Sequence, residues 1–402
     1  MDKKILAVLV VIIVAAAGGA TAYALTHQGG KNTSDDKFID LGRTNEYFPD
    51  HTCCVIIAND KWVEDNPEVA ARFMGGYVDA MQFLSTALSN PGSDDYNSVV
   101  DVIAEVLTSA NLTRAEIEKA LSNINYLYAD SAAGDLSGLT SSIAQLVDQL
   151  DSVNAISEGK KPANPTAWAN SFVNETPLAD GIALSPGSYA TANVEVACIA
   201  GDIHQIGVHL AQRLGYFANY GINATFSTAN NGGGVVTALI QNGATAKIGV
   251  VGAPPSTLNA INQDLSAEKH YSVLARANSV GSGLYIKASA VDDATKDVKE
   301  LTRNGTKFFS VSGSSYVVAP ENAAAWKGLI FGTPGTTSIQ HIQLGTIANS
   351  LGLEFLQYTE GQSTDGNAIY YVTNIPNAQQ TISNKVINAG ILWEPQYTKI
   401  IS

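Results

Sequence analysis

The sequence predicts an α/β protein. Strand-like and helix-like runs alternate from Val194 onward, and a second alternating set begins at Leu329. Apolar residues fill 45% of the 402 positions, enough for a sizeable core. At roughly 150 residues per domain, the chain should hold two or three units. Lys and Arg number 23 against 37 Asp and Glu, a formal charge of −14 that leaves no basic footprint for nucleic acid. Three cysteines without a C-x-x-C exclude a disulfide framework and give no structural zinc signature.

Lys3 and Lys4 precede an apolar run from Ile5 to Leu25. A bilayer span needs about 20 such residues, and the basic residues favour an N-terminus inside. Residues 1–25 therefore read either as a membrane anchor or as a signal peptide cleaved near Ala20-Thr21-Ala22 or Ala22-Tyr23-Ala24. Both export the rest, to the outer face of the cytoplasmic membrane or to the periplasm or extracellular space. No cysteine lies between this run and Cys53, which excludes a lipid-modified cysteine there. Residues 26–35 are polar and Gly-containing and read as a tether. Five N-x-[ST] sequons start at Asn32, Asn111, Asn174, Asn223 and Asn304. They read as glycan acceptors on an exported chain or as chance matches in an Asn- and Thr-rich sequence.

Phe38–Arg43 and Cys53–Ala58 have strand character. Asn66-Pro67 opens a helix with Val69, Phe73, Tyr77 and Leu84 on one face. Thr113–Glu116 is a capping box, and Ser137–Leu150 reads as a third helix. Residues 151–192 look like an irregular surface bridge. Strands are then expected at Val194–Ile199, Ala224–Ser227, Lys247–Val251 and Tyr271–Ala275, and helices at Ile203–Asn219, Val235–Gln241 and Pro255–Gln263. This alternation implies a parallel sheet covered on both faces. The second set runs through Leu329–Phe331, a helix at Ser338–Leu351, a strand at Glu354–Tyr358, a helix at Ala378–Asn388 and a strand at Ala389–Trp393. The Cys53–Ala58 strand has too few partners near it and should join the later strands.

The sequence contains no G-x-S-x-G, H-E-x-x-H, G-x-x-x-x-G-K-[ST] or complete G-x-G-x-x-G. No catalysis, cofactor or metal is expected. Cys53, Cys54 and Cys198 read as small hydrophobes in strands; a thiol nucleophile at Cys53-Cys54 is the lesser alternative, because nothing adjacent would lower its pKa. The strand-to-helix turns remain, because open α/β sheets bind ligands at the carboxyl ends of their strands. They carry Asp202, His204 and Gln205; Asn231, Gly232 and Gly233; Gly252, Ala253 and Pro254; and Thr333, Gly335, Thr336 and Ser338. Glycine admits close backbone approach, and a helix N-terminus suits an anion.

Several stretches resemble the nitrate/sulfonate/taurine-type solute-binding proteins of ABC transporters, a group that includes binders of thiamine precursors. They are AGDIHQIGVHLAQRLGYFANYGI, NNGGGVVTALIQNGA, IGVVGAPPSTLNAI, GTPGTTSIQHIQLGTIANSLGL, AGILWEPQYTKI and FPDHTCCVIIANDKWVEDNPEVAARFMGGYVDA. In that family the last stretch follows Trp-Glu-Pro, whereas here it comes first, so the chain resembles a circularly permuted member. The resemblance implies a periplasmic-binding-protein-like (type II) fold of two hinged lobes. Residues 36–193 would complete lobe 1 and bridge into 194–290, the rest of lobe 1. Residues 291–328 would connect it to lobe 2 at 329–402. It implies a receptor that hands a small molecule to a permease and its ATPase, with Trp393 stacking on the ligand and Glu394 accepting a hydrogen bond. His51 joins the cleft set, together with Asp50. Arg276 is the nearest candidate cation. Several carboxylates and little positive charge disfavour a bare inorganic anion. A small organic anion or zwitterion of the sulfonate, taurine, nitrate or thiamine-precursor class is expected. The rival readings are an exported sensor or surface protein that kept the fold, and a thiamine-pyrimidine-synthase-like enzyme.

Overall fold

The computed structural model describes residues 37–48, 51–126, 137–312 and 315–402. The apolar run, the tether, the Asn32 sequon and Asp50 lie outside the described residues. Among the described residues no helix is long and apolar enough to cross a membrane. The chain divides into Met1–Lys37 and Phe38–Ser402, and the account below concerns the second unit.

Two six-stranded sheets organise it. The first runs in the order Ile124–Tyr126, Tyr271–Val280, Thr52–Asn59, Ile248–Gly252, Ala192–Ile199, Ile222–Ala229. Thr52–Asn59 therefore sits inside this sheet, antiparallel to both neighbours. Val55, Ile56 and Ile57 are fully buried. That explains a continuous apolar run rather than an alternating one: a central strand covered on both faces has no solvent side.

The second sheet runs Phe38–Arg43, Ser282–Lys287, Ala389–Trp393, Ile330–Gly332, Ala368–Val372, Glu354–Gln357. Phe38–Arg43 and residues 282–287 were expected in lobe 1, around the first sheet, with a strand foreseen only over the former. They leave it because the chain turns sharply at Val280 (φ 60°) and Gly281 (φ 92°). Leu41, Leu284 and Ile286 then bury with Phe331 and Ile391 in the second core. Leu301, Phe308, Phe309, Tyr316, Ala325 and Trp326, from the stretch expected to connect the lobes, belong to that core as well. Phe308, Phe309 and Trp326 are buried there, with the Trp326 and Phe331 rings stacked at 5.8 Å. The hairpin pairing Thr302–Arg303 with Thr306–Lys307 turns on Asn304-Gly305, both at positive φ, the residue pair that suits such a turn.

The expected helix at Ile203–Asn219 is shorter. A 3-10 turn, Ile203–Gln205, precedes the helix Ile206–Arg213, and Gly215 at φ 85° follows it. The helix expected over Ala378–Asn388 ends at Ser383. Asp94–Val106 is an additional helix, capped by Ser93. The bridge at 151–192 is not irregular throughout. Pro165–Phe172 starts on an Asn164 cap and Thr176–Ala183 carries Pro177 in its first turn, the position where proline costs no hydrogen bond. Thr176–Ala183 packs against Pro67–Leu88 at Gly181, where a Cβ would stand 2.6 Å from the Ala71 carbonyl oxygen.

The two cores touch where Ile339 and Ile342, on the helix Ile339–Leu351, enter the first core. At the chain's end, Phe38, Tyr397 and Ile400 share one apolar cluster, and the Tyr397 hydroxyl donates to Asp40 Oδ1 at 2.5 Å.

Candidate functional site

A cleft of about 410 Å³ is lined from both sheets. Its walls are the segments that follow six strands. Ile199 leads to Asp202 and His204; Ala229 to Asn230, Asn231 and Gly232; and Ile248–Gly252 ends on Gly252 itself. From the second sheet, Gly332 leads to Pro334–Gln340, Val372 to Asn374 and Pro376, and Ala389–Trp393 ends on Trp393. Thr52–Asn59 runs the opposite way and contributes its beginning, Cys53 and Cys54.

Three helices start at this cleft. Asn231 caps Gly232–Ile240, its side chain accepting from Gly234 N at 2.9 Å. Ala253–Asn262 follows Gly252 directly. Ser338 caps Ile339–Leu351, accepting from His341 N at 3.2 Å and donating to the Gly335 carbonyl at 2.8 Å. Free N–H groups and aligned peptide dipoles at such starts favour negative charge. Among the described residues that line the cleft there is no Lys or Arg.

The only lining carboxylate among the described residues is Asp202, and it is engaged. Its Oδ1 accepts from His204 N at 3.0 Å and from His204 Nδ1 at 2.7 Å, and its Oδ2 accepts from Gln205 Nε2 at 3.0 Å. Gln205 Oε1 in turn accepts from Ile199 N at 2.7 Å, locking the turn to the strand. Burial alone would pull the His204 pKa down. The charges of Cys53 and Asp202, with the Asp202 hydrogen bond, outweigh it and hold the pKa well above the ordinary imidazole value. His204 Nε2 makes no hydrogen bond, and a Cβ on Gly281 would collide with it. Glycine at 281 thus provides both the φ of 92° and the space for the imidazole.

Asp202, His204, Asn231, Gly232, Gly252, Gly335, Thr336, Ser338 and Trp393 come together in this cleft. Other expected residues do not line it. Gln205 supports from behind. Ala253 and Pro254 are buried in the first turn of their helix. Gly233 is one residue inside its helix, with open space at its Cβ position save Asn231 Oδ1 at 3.5 Å. Thr333 is fully buried, its Oγ1 3.3 Å from His341 Nδ1.

Glu394 does not line the cleft either. It is fully buried and both oxygens are occupied. Oε1 accepts from Asn123 Nδ2 and from Thr398 Oγ1 at 3.0 Å, and Oε2 accepts from Thr398 N at 3.1 Å. Burial raises its pKa, and the Asn123 and Thr398 hydrogen bonds partly reverse that. It ties the end of the second sheet to Asn123 beside the first, and has no face toward a ligand. His51 and Arg276 line a separate cavity of about 390 Å³ with Tyr47, Phe48 and one side of the helix Ser137–Ser152. His51 Nδ1 donates to the Phe48 carbonyl at 2.8 Å, and burial holds this ring toward its neutral form.

Gln340, Asn374, Pro376 and Gln380 line the cleft without having been singled out. The signal for the last three was the run Asn374-Ile-Pro-Asn377, a turn and cap after an apolar strand. The thiols reach the cleft for a geometric reason. Thr52 pairs with Ser279 and Cys54 with Asn278, which leaves Cys53 with no residue opposite. This β-bulge brings consecutive side chains toward one side. Both cysteines line the cleft, with sulfurs 4.0 Å apart.

No protein-family model, curated protein or solved structure matches the chain.

Proposed function

We propose that this chain is an extracytoplasmic solute-binding receptor of two hinged lobes, which captures a small organic anion and presents it to the permease of an ABC importer. The observation that carries the reading is the cleft itself: loops at the carboxyl ends of strands from two sheets converge on one space of ligand size. Lobes built on separate sheets and joined at Val280–Gly281 suit closure about a ligand. The three helix starts favour an acidic group, and Trp393, half-exposed in the wall, offers an aromatic face. With Asp202 neutralised by His204 and Glu394 withdrawn from the cleft, an organic anion fits better than a zwitterion.

The permuted order is part of the proposal. Phe38 and Ile400 share a cluster, as ends that were once continuous should. The interior place of Thr52–Asn59 in a sheet whose other long strands come after Ala192 supports it too. Export through residues 1–25 completes the reading.

The test is mass spectrometry of the compound released when the purified protein is denatured. One small acidic compound per chain is expected. Adding it back at a hundred times its Kd should stabilise the fold by about 2.7 kcal/mol. A protein that releases nothing, and is not stabilised by any of a panel of sulfonates and carboxylates, would sink the proposal.

A further inference from the structure

The paired cysteines at the cleft carry a function beyond reversible capture. We propose that Cys53 is a reactive thiolate, supported by Cys54, His204 and Asp202, and that it forms a mixed disulfide with small disulfide-bearing molecules that enter the cleft.

Four observations combine. The bulge turns both sulfurs toward the cleft, 4.0 Å apart, with the Cys54 S–H donating to Cys53. His204 is buried at the same wall, and its Nε2 has no hydrogen-bond partner in the protein. Its other nitrogen is fixed by Asp202 at 2.7 Å. A buried carboxylate that orients an imidazole beside a thiol is the arrangement that activates sulfur nucleophiles.

The electrostatics agree in direction. The Cys54 S–H draws the Cys53 pKa well below the ordinary thiol value. Burial opposes this, and the His204 charge adds to the lowering. Cys54, as the donor, moves the opposite way, and Cys198 is pushed up by burial. The other ionisable groups facing this set are His51, Tyr77, Tyr126 and Glu394, with Arg276 facing His51.

In the reaction, Cys53 S⁻ attacks one sulfur of the disulfide R–S–S–R. A bond forms between Cys53 Sγ and the attacked sulfur, giving Cys53–S–S–R, as the S–S bond of the incoming disulfide breaks, and the electron pair leaves with RS⁻. The disulfide itself is the oxidant, and nothing else is consumed.

The experiment uses the full chain and two probes. Iodoacetamide, which is neutral, reads thiolate character, and mass-spectrometric mapping assigns the site. The rate at Cys53 should rise with pH through an inflection below the ordinary thiol range, while Cys198 stays unlabelled until the protein is unfolded. Cys54→Ala and His204→Gln should each move that inflection upward. Should His204→Gln fail to fold, the wild-type profile decides alone. The second probe is 5,5′-dithiobis(2-nitrobenzoate), an anionic disulfide, which should release one coloured thiolate per chain and leave its other half on Cys53. Cys53→Ser should abolish that release. An inflection at the ordinary thiol value, or a native Cys53 as inert as Cys198, overturns the proposal. The result is separable from the receptor reading, because iodoacetamide reports the thiol whether or not the purified chain releases a ligand.

Discussion

Asn123→Ala tests the strut between the two sheets. Asn123 Nδ2 donates to Glu394 Oε1 and, at 3.4 Å, to Thr398 Oγ1. Glu394 is fully buried and Asn123 is 8% exposed, so water does not replace the lost donor. Removing one hydrogen bond to a buried charged group costs about 1.5–3 kcal/mol, or roughly ten- to a hundredfold in the folding equilibrium. The pH dependence gives a second readout. Burial raises the folded pKa of Glu394, while the Asn123 bond lowers it. A carboxyl that holds its proton more tightly when folded contributes its full stability below the unfolded carboxylate range. It loses that contribution as pH rises through the folded pKa. Without Asn123 the folded pKa climbs further, so the deficit is larger at neutral pH than in acid. Urea unfolding at both pH values, with m unchanged, measures it. In a Glu394→Gln background the pH dependence of the Asn123→Ala deficit should vanish. A loss below about 0.5 kcal/mol, the range of ordinary surface substitutions, or a deficit of equal size at both pH values, would refute the reasoning.

Gly390→Ala should cost about 1–3 kcal/mol in thermal unfolding, because its Cβ would run into the buried Tyr285 ring. Gly335→Leu should leave the melting temperature unchanged, since nothing stands within 4 Å of its Cβ position. It should nevertheless cut affinity for the released compound at least about tenfold by filling the cleft, as read by calorimetry. Ser338→Ala removes the cap of Ile339–Leu351 and should cost about 1 kcal/mol, seen in the same melts. A fragment of Asn193–Ser402 lacks the strand between Ile248–Gly252 and Tyr271–Val280. It should be insoluble or show no cooperative transition by circular dichroism.

The α/β class and most of the alternating elements were legible because period and capping are local. Thr113–Glu116 closes its capping box as the spacing says, and Gly252-Ala253-Pro254-Pro255 starts a helix where proline allows it. The turns were legible as a set for the same reason. Side-chain direction was not. Glu394 and Gln205 have the chemistry of ligand-binding groups, yet Glu394 is engaged by Asn123, distant in the chain, and Gln205 by Asp202 and Ile199 of its own turn. The Ser282–Lys287 strand was hidden because Val280, a β-branched residue, adopts a left-handed backbone that sequence rules assign to glycine or asparagine. The thiol pair was hidden because alternation assumes an unbroken ladder.

The defects in that ladder lie on one side of the strand. Cys53 has no residue opposite it, and one step later Ala277 has none, since Cys54 pairs with Asn278 and Val55 with Arg276. One extra residue in each strand makes a dislocation and its counterpart, so Thr52 with Ser279 and Val55 with Arg276 share one register, and a further slip, where Leu274 is skipped between Ile56 with Ala275 and Ile57 with Val273, shifts the rest of the pairing by one residue. On its other side the same strand pairs with Ile248–Gly252 without a break from Cys54 to Ala58, so the faults are not transmitted across it. Deleting Cys53 alone would leave the Ala277 fault uncompensated and shift everything before it by one residue. Deleting Cys53 and Ala277 together would remove this pair of faults, keep the sheet and leave Cys54 as the one thiol at that end of the strand.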